Sequence, residues 1–119
     1  MRTGLIKQVL TITAVVLLMA LTSCSSKRSI NFKIHTEPEG AHVIIKQDNS
    51  RWTYLGVTPL DVIEIFPGDL LEENNTISLK AMRCGYFEQV KEWTGEQLEQ
   101  ENDEKGRIFW TPRLIKDTQ

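Results

Sequence analysis

The chain has 119 residues, 14 of them basic and 16 acidic, giving a formal charge of −2, and 40% of its residues are hydrophobic. A chain of this length forms one small domain around a single modest core. Its mild acidity excludes the strong positive field that nucleic-acid binding requires.

The first 23 residues carry Arg2 and Lys7 with no acid, followed by an apolar run from Leu10 to Leu21. A run of about a dozen apolar residues matches the core of a secretion signal and falls short of a membrane span. Leu21-Thr22-Ser23-Cys24 follows, an apolar residue and two small ones before a cysteine. It resembles the lipobox of bacterial lipoproteins. The resemblance implies removal of residues 1–23 as a signal peptide and acylation of Cys24, which then anchors the protein in a membrane. Each buried methylene contributes about 0.8 kcal/mol, so two or three acyl chains hold firmly where one does not. Ser25, in place of Asp, implies the outer membrane of a Gram-negative envelope, on its periplasmic face or at the cell surface.

Residues 24–119 would then carry twelve basic and sixteen acidic residues, a charge of −4. With Cys24 acylated only Cys84 remains, so no intramolecular disulfide forms. Cys84 lies in a strand-like segment before Gly85-Tyr86, where a buried, small apolar side chain is expected.

Residues 24–29 have no apolar residue beyond the cysteine and read as a flexible lipidated tether. The domain is expected to start near Ile30, where Ile30, Phe32 and Ile34 alternate with Asn31, Lys33 and His35. Pro38-Glu39-Gly40 is turn chemistry. A second strand spans Ala41 to Lys46, and the Asp48-Asn49-Ser50 cluster returns the chain through Trp52 to Leu55 as a hairpin. Gly56 precedes Thr58-Pro59, Leu60 to Phe66 is another β-branched run, and Pro67-Gly68 is a further turn signal. Pro38, Gly40, Gly56, Pro59, Pro67, Gly68 and Gly85 are thus expected to serve the fold and no chemical site.

After a polar loop at Glu72-Glu73-Asn74-Asn75, Thr76 to Met82 alternates cleanly, and Tyr86 to Trp93 continues as a strand beyond a bend at Gly85. Asn74-Asn75-Thr76 matches a glycosylation sequon but reads as loop chemistry. Thr94 to Lys105 carries five acids and one strong apolar residue, Leu98. Thr94 and Gln97 have capping-box spacing, so this solvated segment is predicted to form a short surface helix. Arg107 to Ile115 reads as a final strand interrupted at Pro112, which favours a sheet edge. The predicted class is all-β: a small antiparallel β-sandwich-like domain over residues 30–93, with residues 94–119 as a C-terminal extension holding the helix.

Thr36-Glu37-Pro38-Glu39-Gly40-Ala41-His42-Val43, then Gly56-Val57-Thr58-Pro59-Leu60, Pro67-Gly68 and Gly85-Tyr86 occur in that order. Together they resemble the PEGA domain over roughly residues 30–93. The resemblance implies a non-catalytic, sandwich-like module of bacterial and archaeal surface proteins whose partner is generally undefined. The chain departs from the pattern in a hairpin extended through Arg51-Trp52 and in a longer connection from Asp69 to Asn75.

Chemistry finds little footing. His35 and His42 are the two imidazoles; neither lies in a nucleophile or metal motif, and the acids from Glu101 to Glu104 lack the spacing of a calcium loop. No enzyme activity, metal or cofactor is expected. Trp52 and Tyr54, two residues apart, share a side of a strand. Such a pair commonly covers a sheet face; it can also stack on a sugar or a partner protein, with Arg51 as a polar anchor. Two functions remain open: a lipid-anchored envelope module that binds or scaffolds a protein or glycan, contacted through Arg51, Trp52 and Tyr54, or a structural spacer with no ligand.

Overall fold

The alternating segments become strands in a computed structural model that describes residues 26–72 and 74–118. Cys24 and the signal segment lie outside the described residues. The strands are β1 (Lys27–Ile34), β2 (His42–Gln47), β3 (Thr53–Val57), β4 (Leu60–Pro67), β5 (Thr76–Met82), β6 (Gln89–Thr94) and β7 (Ile108–Trp110), with helices α1 (Gly68–Glu72) and α2 (Gly95–Lys105).

They form two sheets, ordered β4-β1-β7 and β3-β2-β5-β6. The protein is a small all-β, sandwich-like domain. Period-two alternation turns Ile30, Phe32 and Ile34 of β1 inward against Val43 and Ile45 of β2 and Ile77, Leu79 and Ala81 of β5, and all are buried. Phe32 and Phe66 meet edge-on with ring centroids 6.2 Å apart. The pairing is antiparallel except where β7 runs parallel to β1. That exception follows from the connection, since α2 carries the chain from the edge strand β6 of one sheet to the open edge of the other. The final strand lies at a sheet edge as expected, but it spans only Ile108–Trp110 and ends before Pro112.

Strand directions give the sandwich two ends. At the base lie the start of β1, the end of β4, α1, and the turn between β2 and β3. At the top lie residues 36–41, Thr58-Pro59, the turn after β5, and the C-terminal segment 112–117.

The two longest resembling motifs are joined at the top. Thr58 Oγ1 accepts from the Gly40 and Ala41 amides at 3.1 and 3.0 Å and lies 2.6 Å from Thr36 Oγ1, which donates to the Pro38 carbonyl at 2.8 Å. Backbone bonds from Thr58 N to Ala41 O and from Gly40 N to Thr58 O complete the joint. Pro38 and Pro59 follow cis peptide bonds. Gly56 pairs with Val43 beside a register shift, so β3 carries a bulge there.

Several sequence expectations need correcting. Residues 27–29 are not tether: Lys27, Arg28 and Ser29 pair with Pro67, Phe66 and Ile65, because β4 is long enough to offer them partners. Pro67-Gly68 is no turn but the junction of β4 with α1, and the Asp69–Asn75 connection is partly helical because it buries Leu71 in the core. The sixth strand begins at Gln89 rather than Tyr86.

Cys84 is exposed, not buried. Tyr86 N bonds to Arg83 O at 3.0 Å, which makes Cys84-Gly85 the corner of a tight turn, and a corner residue has no sheet face to pack against. Residues 94–119 are no appendage either, since Leu98, Ile108, Trp110 and Leu114 belong to the core. From β7 the chain runs beside Glu37, through Glu37 N to Pro112 O and Leu114 N to Glu37 O, then pairs with the Cys84-Gly85 turn through Phe87 N to Ile115 O. It ties one sheet to the other.

The predicted capping box is present in α2: Gln97 N donates to Thr94 Oγ1 and Thr94 N to the Gln97 side chain, both at 3.1 Å. Its acids are less idle than expected. Glu99 pairs with Arg28 of β1, and Glu101 accepts from Trp93 Nε1 at 2.9 Å, so two carboxylates fasten the helix across both sheets.

Candidate contact surface

The outer face of the β3-β2-β5-β6 sheet holds the aromatic pair. Ile44 stands between Tyr54 and Lys80 in register, and Lys80 pairs with Val90, so one cross-strand row runs Tyr54, Ile44, Lys80, Val90. Tyr54 is 57% exposed and Trp52 38%. Neither belongs to the core.

The two aromatics are nevertheless held differently. The Trp52 ring carries the Lys80 ammonium 4.6 Å from its centroid and the Lys46 ammonium at 5.7 Å, within the range of cation–π attraction. Lys80 also reaches Glu88 at 3.6 Å. Trp52 therefore covers the sheet's outer face, with its ring shared by lysines from two strands. Tyr54 stands clear, and its hydroxyl is fixed 2.9 Å from His42 Nδ1 with the rings 5.8 Å apart. Arg51 is exposed next to Trp52, in the turn closed by Ser50 N to Gln47 O at 2.9 Å.

Beside Tyr54 lies an open concavity of about 480 Å³, lined by His42, Tyr54, Met82, Arg83, Cys84, Gly85, Tyr86 and Glu88. The Arg83 guanidinium lies over the Tyr86 ring at 5.4 Å. This wall was not anticipated from sequence, because it joins the start of β2 to the turn after β5, forty residues later. A partial signal existed in the alternation of β5, which sets its end beside the start of an antiparallel neighbour. The concavity also puts His42 and Cys84 on one wall, but His42 Nδ1 is directed at the Tyr54 hydroxyl, an arrangement that orients the phenol. His35 lies apart and meets Glu39 at 3.1 Å. Among the described residues no group of three or more His, Cys, Asp or Glu side chains is gathered to hold a metal ion.

The opposite sheet also exposes apolar residues, Ile63, Ile65 and Phe109. They are interleaved with Ser29, Asn31 and Lys33 of β1. No family model, curated protein or solved structure matches the chain.

Proposed function

We propose that this protein is a PEGA-like, lipid-anchored module of the bacterial cell envelope, without enzymatic activity, that binds or scaffolds a protein or glycan partner. The observation that carries the reading is the position of Tyr54: outward on a rigid sheet, its hydroxyl oriented by His42, at the rim of a concavity. Large rigid side chains of this kind supply most of the binding energy at contact surfaces, while their neighbours mainly exclude water. The lipobox-like segment supplies the anchor through Cys24, with the outer membrane as its destination.

Two measurements test the proposal. Cys24→Ala should abolish fatty-acid labelling and release the protein from the membrane fraction; unchanged labelling would end the lipoprotein reading. A photo-crosslinker at Tyr54 should capture a discrete envelope component, whereas one at Ile63 on the opposite face should not. Equal capture at both positions would remove Tyr54 from the reading.

A further inference from the structure

The fold holds the chain much closer to its expected anchor than the composition of residues 24–29 suggests. Gly68 N donates to the Ser26 carbonyl at 2.8 Å, one step beyond the Lys27–Pro67 pair, so the domain begins at Ser26. A Cβ on Gly68 would lie 2.6 Å from both the Ser26 carbonyl oxygen and its hydroxyl. The missing side chain at residue 68 is what lets the β4–α1 junction close over the start of β1. Cys24 stands two residues before Ser26, and two extended residues reach about 7 Å.

We propose that the base of the sandwich sits directly against a phospholipid surface, with the top facing away. The proposal rests on the acylation of Cys24. With so short a connection, the residues at the lipid are those that share the base with Ser26: α1, the start of α2, where Gly95 N donates to Asn75 O at 2.8 Å, and the Asp48–Arg51 turn, which topology places at the same end through Asp48 N to Thr76 O at 2.6 Å. The exposed charges there are mixed, Lys27, Arg28 and Arg51 against Asp48, Asp69 and Glu96. Their mixture gives no preference for anionic headgroups; the connection alone sets the orientation. β1 has eight residues, about 26 Å of rise, and separates this end from the Cys84-Gly85 turn and the concavity. With the base at the membrane, the concavity beside Tyr54 faces away from the lipid, and Arg51, in the base turn, is withdrawn from the contact surface. The geometry also argues against a domain held off the membrane by a flexible spacer.

The test uses the acylated protein in vesicles of phosphatidylethanolamine and phosphatidylglycerol that carry a headgroup-attached nitroxide quencher. A fluorophore is placed on native Cys84 or, in an N49C/C84S variant, at the turn between β2 and β3. Quenching should be several-fold stronger at residue 49 than at residue 84, and unchanged when phosphatidylglycerol is omitted. Inserting a ten-residue Gly/Ser segment after Ser25 should erase the difference. Membrane-bound protein quenched equally at both sites would overturn the orientation while leaving the anchor intact. Protein that carries no acyl chain and does not partition would overturn both, so the two failures are separately visible. A Gly68→Ala variant that stays folded should reduce the contrast between the sites; an undiminished contrast would show that the Ser26 closure does not set the orientation.

Discussion

The hydroxyl oxygens of Thr36 and Thr58, 22 residues apart in sequence, lie 2.6 Å from each other in the buried joint at the top of the sandwich. Because Thr58 Oγ1 already accepts from two amides and Thr36 donates to the Pro38 carbonyl, the proton between them belongs to Thr58. Both hydroxyls and both amides of this joint then have their partners. Thr58→Val would leave the Ala41 amide buried and unpaired, which costs about 1–3 kcal/mol. Urea denaturation should show that loss, whereas Thr58→Ser, which keeps the hydroxyl, should lose clearly less. A Thr58→Val variant that melts like the parent, or that loses no more than Thr58→Ser, would show that the hydroxyl does not hold the joint.

Gly40 and Gly85 have φ of +95° and +87°, in the left-handed region that a β-branched side chain avoids. A Cβ at Gly85 would meet nothing within 4 Å and one at Gly40 only Arg83 Nε at 3.9 Å, so a Cβ there meets no clash and the cost comes from the backbone conformation. Gly85→Val and Gly40→Val should each lower stability by about 1–2 kcal/mol. Thermal melting that matches the parent protein would mean that these turns relax without strain.

Much of the sandwich was legible because its signals are local. Ile30, Phe32 and Ile34, or Ile77, Leu79 and Ala81, alternate within a few residues, and the capping box of α2 needs only Thr94 and Gln97. What escaped depends on distant partners. Lys27-Arg28-Ser29 is polar and looks like tether until β4 supplies its ladder. Leu98, alone among acids, looks solvated until α2 closes the sandwich with that one side chain in the core. The aromatic pair was placed on one face correctly, but the lysines that occupy Trp52 come from β2 and β5 and separate it from Tyr54 in role.

The same long-range dependence makes the C-terminal segment testable. Leu98→Ala removes a fully buried side chain and should cost about 2–5 kcal/mol by denaturant melting, although its helix is otherwise polar. Truncation after Gly106 removes β7 and the segment that ties the two sheets together. That truncated chain should fail to give a cooperative transition. A cooperative melt would show that β7 and the segment after it are not needed to close the sandwich.

Recognition through the outer face of β3-β2-β5-β6 is the central claim, and a Trp52→Ala/Tyr54→Ala double variant addresses it most directly. Both side chains are outside the core, so the variant should keep the parent's circular dichroism spectrum and a cooperative melt. Truncating a hot spot costs about 2 kcal/mol of binding or more, roughly thirtyfold in affinity. Crosslinking in the native envelope should therefore lose the partner that the parent protein captures. A folded double variant that still captures the partner would contradict the claim and move the contact elsewhere, first to the acidic helix from Glu96 to Glu104 and then to the Ile63 face.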